Sequence, residues 1–415
     1  MSKRVVVIGG GVIGLSVAAR CASRGHRVTL VDATPRTRGS SLGNAGMIVP
    51  SHLVPLAAPG MVAMGIKWMA NPESPFYIKP RFSLDLLRWG YRFWRASNPA
   101  QVRRAAPVLR DLHLASRAAY AELADAGENL GLVKNGLLML CKSPEVFHEE
   151  VETAQTACRL GLNAKILDAA QAASLEPGIE MDIHGAIHYA EDCHLDPRRY
   201  VESREQALLA AGGQLVYDAR ATDWRVRGRT IEALLTTAGE IVGDQYVLAG
   251  GAWSPELARR LGLRLPLQAG KGYSVTHPHP VQTPQICAIL VEARVAVTPL
   301  GGALRFGGTM EIAGMDERIN SRRVQGILKS IPNYYPAFSV GDFAGIEPWQ
   351  GLRPCSPDGL PYLGRTRVAD NLLVATGHAM MGLSLAPVTG QIIAALVDRE
   401  PSPIDLELLS PDRFG

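Results

Sequence analysis

Hydrophobic residues follow two rhythms along this 415-residue chain. Short apolar runs that end in glycine alternate with longer stretches patterned at the helical period. The first run, Val5-Val6-Val7-Ile8, reads as a buried strand and leads into Gly9-x-Gly11-x-x-Gly14. A helix is expected from Ile13 to Ser23, then Gly25, a second strand over Arg27–Val31, and an acid, Asp32, at its tip. The same strand, glycine, helix pattern returns at Gln245–Ser254 with a helix over Pro255–Leu261, and at Asn371–His378 with a helix over Pro387–Asp398. Parallel strands with long crossover insertions produce this spacing. Between them, residues 81–130 have a mainly helical pattern, and residues 131–195 and 264–350 mix short strands with prolines and glycines. Gly185–Tyr189 and Ala303–Thr309 alternate as half-buried strands do.

The fold class expected is therefore α/β: a discontinuous Rossmann-like domain plus an antiparallel-sheet second domain. Residues 1–80, 196–263 and 351–415 are assigned to the first, residues 81–195 and 264–350 to the second.

The opening unit contains every part of a dinucleotide site. Gly9 permits the tight turn, Gly11 lets backbone N–H groups approach a pyrophosphate, and Gly14 lets helix and strand pack closely. The helix N-terminus favours the anion, and the Asp32 carboxylate can accept from ribose hydroxyls. The turn taken alone also fits a nicotinamide enzyme, or a glycine-rich turn in some other parallel-sheet protein.

Composition narrows the class without naming the chemistry. Hydrophobic residues make up 47% and charged residues 20%, which excludes a disordered or fibrous chain. A net charge of +4 with no dense basic patch gives no reason to expect a nucleic-acid partner. The six cysteines show no C-x-x-C spacing, so no metal site is expected and reduced cytoplasmic thiols are. No export signal is read, and no apolar run nears the roughly 20 residues that span a bilayer.

The segment Gly351-Leu352-Arg353-Pro354-Cys355-Ser356-Pro357-Asp358-Gly359-Leu360-Pro361-Tyr362-Leu363-Gly364 resembles a signature of the FAD-dependent amine and D-amino acid oxidoreductases, the group that includes D-amino acid oxidase, glycine oxidase and sarcosine oxidase. Asn44-Ala45-Gly46, Ala57-Ala58-Pro59-Gly60, Lys67-Trp68-Met69 and Lys271-Gly272-Tyr273-Ser274 are similar to bacterial D-amino acid dehydrogenases. Met47 to Leu56 looks closer to the D-proline and hydroxyproline dehydrogenase branch. The resemblance implies FAD as cofactor and hydride transfer from Cα of a D-amino acid to flavin N5. The substrate it suggests is D-proline or cis-4-hydroxy-D-proline, giving a pyrroline carboxylate. An oxygen-using oxidase of glycine, sarcosine or another secondary amine, and a flavin-binding redox subunit without turnover, remain as alternatives.

The resemblance assigns Arg353, in a Gly/Pro-rich loop, to the substrate carboxylate, which a planar guanidinium can grip with two parallel hydrogen bonds. Tyr273 at a strand start could donate to the same carboxylate, and Arg305 could approach it; a half-buried core tyrosine and a solvated strand arginine are the plainer roles. His52 is a candidate base or hydrogen-bond partner, or else structural. His378 and its loop suit the flavin's pyrimidine edge. The cofactor is expected to touch Gly9, Gly11, Val12, Ile13, Gly14, Asp32, Ala33, Ser40, Ser41, Asn44, Ala45, Gly46, Met47, Ala221, Gly250, Trp253, Gly351, Gly377, His378, Met381, Gly382, Leu383 and Ser384. Cys355 is taken as an ordinary loop thiol and FAD as non-covalent. Finally, Arg81–Arg95 interleaves aromatics with arginines, and Gly90 is expected to weaken it as a regular helix. It can pack over the second domain, or seat at the inner face of the cell membrane, where a dehydrogenase would meet a quinone or other electron carrier.

Overall fold

The computed structural model describes residues 1–35, 39–69 and 71–415. Two large sheets organise the chain. The first has six strands in the spatial order Tyr362–Arg365, Leu372–Thr376, Gln245–Leu248, Arg4–Ile8, Arg27–Val31 and Gln214–Val216. All neighbours run parallel except the antiparallel edge strand Tyr362–Arg365. The three segments with the strand-glycine-helix pattern thus supply adjacent central strands, with Val7 level with Val247 on one side and Leu30 on the other.

The opening valine run is buried on both faces because the strand sends alternate side chains to opposite sides. Val5 and Val7 enter a core built with helices Val12–Ser23, Pro99–Asp125, Pro197–Ala210 and Ala386–Asp398. Val6 and Ile8 enter a second core, closed by the three-stranded meander Ala221–Arg227, Thr230–Thr236 and Gly239–Ile241 through Trp224, Ile231 and Leu234. Helix Ala386–Asp398 crosses Val12–Ser23 at Gly390, where any Cβ would lie 2.7 Å from the Ser16 carbonyl oxygen.

The second sheet has nine strands. Trp349–Cys355, Gln268–His277, Ala303–Ile312, Val295–Leu300, Cys287–Leu290, Leu137–Cys141, Gly185–Tyr189 and Ala164–Asp168 follow one another, and Phe76–Ile78 pairs with the end of Ala303–Ile312. It is mixed rather than antiparallel throughout, because Cys287–Leu290 with Leu137–Cys141, and Phe76–Ile78 with Ala303–Ile312, pair in parallel. Its membership differs from the expected boundaries. Phe76–Ile78 and Trp349–Cys355 belong to this sheet, and helix Pro99–Asp125 packs on the six-stranded one. Arg353 therefore sits on a strand rather than in a loop.

Helix Leu84–Ala96 runs unbroken through Gly90. Its inner residues Leu86, Trp89 and Phe93 join a small core with Met310, Ile312 and Cys355, and the Trp89 indole donates to the Cys355 carbonyl at 2.9 Å. Those tertiary contacts offset the roughly 1 kcal/mol cost of a mid-helix glycine. Its outer residues Leu87, Tyr91 and Trp94 are exposed, so only the inner aromatics take the expected packing role.

Candidate active site

One cavity of about 960 Å³ runs from the Gly9 turn, along the first sheet, to Arg353 on the second. At its nucleotide end the geometry is set by contacts that only glycine allows. A Cβ on Gly14 would stand 1.8 Å from the Gly9 oxygen, and Gly9 itself has a φ of 110°. The first turn of helix Val12–Ser23 has no acidic residue, and among the described residues only the Val12 N–H is met by a side chain, the Ser41 hydroxyl at 3.1 Å. Asp32 has protein partners of its own. It accepts from Gly10 N–H at 2.5 Å and from Thr34 N–H and Oγ1–H at 2.8 Å, tying the glycine turn to the second strand. A carboxylate with about four lone-pair sites still has one to offer.

The other segments reach the cavity from above the sheet. Gly250 and Trp253 bring the second glycine turn, and Ala33, Ser40 and Ala221 line the nucleotide end. Ser254 Oγ donates to Thr376 Oγ1 at 3.2 Å, and Thr376 Oγ1 to the Gly251 carbonyl, locking the second turn to the third. Asn44, Ala45 and Met47 line the middle of the cavity, as do Gly351, His378, Met381, Gly382 and Leu383. Gly14, Gly46, Gly377 and Ser384 do not line it. Gly46 and Gly377 take positive φ to pass Leu195 and Tyr362, and Ser384 Oγ bonds Val49 N–H and His113 Nδ1. They shape the wall from behind.

Arg353 lies where the cavity meets the second sheet. Its strand pairs Arg353 with Gly270 and Gly351 with Gly272, and the guanidinium folds across the bare face of Gly272, where a Cβ would sit 2.1 Å from Nη1. Nη1 donates to the Thr309 carbonyl at 2.6 Å, and the guanidinium makes no other hydrogen bond among the described residues. Burial lowers the guanidinium pKa from its ordinary value, yet an arginine stays charged. Cys355 is buried, its thiol near Met310 Sδ at 3.8 Å and its pKa pushed up to about 12 by burial.

Two expected substrate residues are placed otherwise. Tyr273 is among the residues lining the cavity, but it is buried in the second sheet's core and its hydroxyl donates to Glu311 at 2.5 Å, so its one proton is committed. Arg305 is 3% exposed and away from the cavity; it donates to Thr276 Oγ1 and to the carbonyls of Leu42 and Asn44. It braces the loop beside the cavity, being neither a carboxylate ligand nor a solvated arginine. His52 lines the cavity, and burial together with Arg294 pushes its pKa down to about 4, so it is neutral at pH 7. His378 is likewise neutral, lowered by burial to about 3, with Nε2 bonded to Thr389 Oγ1 at 3.1 Å. Trp349 escaped sequence reasoning: its ring is wedged between Gly43 and Gly351, and only the two glycines across its faces hint at it.

A dinucleotide-length cleft between a parallel sheet and a mixed sheet, with a buried arginine at its far end, fits a nucleotide-dependent oxidoreductase. The comparisons sharpen the class. The family profile described as FAD dependent oxidoreductase matches residues 4–396. The D-amino acid dehydrogenase of Paramagnetospirillum magneticum is 35% identical, with 99% of each chain covered, and that of Vibrio atlanticus is 30% identical over 99% of each. Among solved structures, glycine oxidase from Geobacillus kaustophilus superposes with a TM-score of 0.81 at 26% identity over the full length of both chains. L-proline dehydrogenase from P. horikoshii shares the fold, with a TM-score of 0.77 at 16% identity and 100% and 98% coverage. This chain belongs to the FAD dependent oxidoreductase family, and FAD is its cofactor. The glycine cradle, Asp32 and the wall around Asn44, Trp253 and His378 would hold it.

Proposed function

We propose that this protein is a D-amino acid dehydrogenase whose substrate carboxylate is held by Arg353. The observation that carries the reading is the Arg353 guanidinium, fixed by Thr309 and aimed into the FAD cavity. The names of the relatives support it. When bound, FAD supplies the acceptor for the hydride leaving Cα. The protein's part is to fix the carboxylate, exclude water and accept the amine proton. His52, neutral and on the cavity wall, is the base available for that proton. The Tyr273 hydroxyl, committed to Glu311, takes no part.

A cyclic substrate, D-proline or cis-4-hydroxy-D-proline, suits the apolar side chains of Trp68, Phe76, Met139, Ile289 and Met310 around the same cavity. Its imine is a pyrroline carboxylate. A second reading rests on Arg294, whose exposed side chain opens on this cavity with no hydrogen bond or ion pair among the described residues. That cation favours an acidic D-amino acid. Anaerobic bleaching of the flavin by D-proline, L-proline, both hydroxyproline epimers, D-alanine, D-glutamate, glycine and sarcosine separates these substrates. Comparing peroxide yield with dye reduction separates a dehydrogenase from an oxidase. Arg353→Ala should raise KM by roughly 10- to 150-fold, the value of a charge-assisted hydrogen bond of ~1.5–3 kcal/mol. An unchanged KM, or no bleaching by any compound, refutes the proposal.

The electron acceptor proposed is a quinone met at an anionic membrane surface. Phe82, Leu87 and Trp94, at 111%, 67% and 62% exposure, share the outer side of helix Leu84–Ala96 and its approach with Arg88 and Arg95. Apolar anchors flanked by cations suit a helix lying in the interface, and no helix among the described residues is long and apolar enough to cross. Sedimentation with anionic vesicles, lost in Leu87→Glu/Trp94→Glu, tests the contact.

A further inference from the structure

We propose that Ser51 and Asp192 form a proton relay behind His52, carrying the proton that leaves the substrate amine out of the cavity; this rests on the amine-oxidising reading above. The three side chains form a chain of hydrogen bonds. The Ser51 hydroxyl donates to Asp192 Oδ2 at 2.5 Å and lies 3.2 Å from His52 Nδ1. Ser51 N–H donates to Asp192 Oδ1 at 3.0 Å, so the serine is held at two points. A hydroxyl has one proton, and Ser51 gives it to the carboxylate. The hydrogen bond to the imidazole therefore runs the other way, from Nδ1–H to Ser51 Oγ. That fixes the tautomer, leaving the lone pair on Nε2, which has no partner among the described residues on a side chain that lines the cavity.

The surroundings explain why such a base needs a relay. Arg294 and burial both oppose an imidazolium at His52, and His113 stands beside it. A proton taken at Nε2 and held there would create that charge. If Nδ1–H passes to Ser51 as Nε2 gains its proton, the ring stays neutral. Ser51 O–H then passes to Asp192 Oδ2, and one carboxylate becomes one carboxylic acid. Each centre loses one proton as it gains one, and the substrate's proton is counted at Asp192.

Asp192 is suited to receive it. Its side chain is 1% exposed, and burial raises its pKa to about 7, helped by Glu191 and opposed by Ser51 and Arg117. Tyr189, Cys193 and Cys287 also face it, and all three are neutral at pH 7 because burial raises their pKa values. No ion pair to Asp192 is present among the described residues; the two Ser51 hydrogen bonds hold its carboxylate, so Ser51 is the group through which a proton reaches it.

The test uses the flavin-loaded protein, mixed anaerobically with D-proline or D-alanine, and reads the rate of flavin bleaching against pH. Asp192→Asn keeps the shape and an acceptor for Ser51 but cannot gain a proton; Ser51→Ala removes the link, and Ser51→Thr restores the hydroxyl. At pH 7 the first two should bleach about tenfold or more slowly than the parent, a usual share for proton transfer. The gap should narrow as pH rises toward 10, where a growing share of the amine arrives already neutral, and Ser51→Thr should recover most of the rate. Parent-like rates for Asp192→Asn and Ser51→Ala at pH 7, or a deficit of the same size at every pH, overturn the relay and leave the function standing. A parent flavin that no compound of the panel above bleaches overturns both.

Discussion

Arg353 donates to the main-chain oxygen of Thr309 at 2.6 Å, and Thr309 presents that oxygen by adopting a φ of 67°. The left-handed region is costly for a β-branched residue, on the order of 1–3 kcal/mol. The register explains it: Lys271 pairs with Glu311 and Tyr273 with Gly308, so Thr309 and Met310 together oppose Gly272. This is a β-bulge, and it re-aims a carbonyl at the guanidinium.

Thr309→Gly relieves the strain while adding about 1 kcal/mol of unfolded-state entropy, so the thermal midpoint should stay within a few degrees of the parent. The freer carbonyl should hold Arg353 less firmly. Steady-state kinetics should show KM raised several-fold with FAD affinity unchanged.

Gly272→Ala addresses the other side of the same guanidinium. The added methyl would lie 2.1 Å from Arg353 Nη1, the end of a flexible side chain, so the arginine swings aside while the fold persists. The expected outcome is a KM raised about tenfold, as for one lost charge-assisted hydrogen bond, with little change in melting temperature.

Arg305→Met should act on the cofactor rather than the substrate. It strips donors from the Leu42 and Asn44 carbonyls, at ~1–3 kcal/mol for each buried group left unsatisfied. Titration of the apoprotein should show weaker FAD binding, with an unchanged KM once FAD saturates.

Gly14→Ala has nowhere to place its methyl, 1.8 Å from the backbone oxygen of Gly9 in the turn that follows the first strand. Purified protein should be colourless and should unfold at a lower denaturant concentration than the parent.

Stability should fall on acidification below neutrality. Burial lowers His52 and His194 to about 4, and His113 and His378 to about 3, against an unfolded value near 6.5. Their contribution is complete above pH 6.5 and is lost as pH falls toward 3, because the unfolded chain binds the protons first. Asp192 has the opposite sign: its contribution is complete below about 3.8 and is lost as pH rises through about 7. Urea midpoints at constant excess FAD should therefore rise from pH 4 to 6.5, less steeply than in Asp192→Asn.

The nucleotide end was legible because its chemistry is local. Gly9, Gly11, Gly14 and Asp32 lie within one strand-helix-strand unit, and covalent proximity carries them into place. Arg353 was legible only through its flanking signature, and even so its place on a strand was not. For Tyr273 the structure favours the core alternative, and for Arg305 neither expected role, because a side chain's partner decides its role and those partners, Glu311 and Asn44, lie 38 and 261 residues away in sequence. Asp192 carried no signal at all: nothing in Glu191-Asp192-Cys193 announces that it meets Ser51, 141 residues earlier.

By itself, then, the order of residues determined the parallel FAD-binding sheet, since runs of valine and leucine broken by glycine have few other ways to bury both faces. The tertiary structure alone decided which polar groups share the cavity. Strands remote in sequence become neighbours through pairing register, and a shift of one residue there would have turned Arg353 to the opposite face.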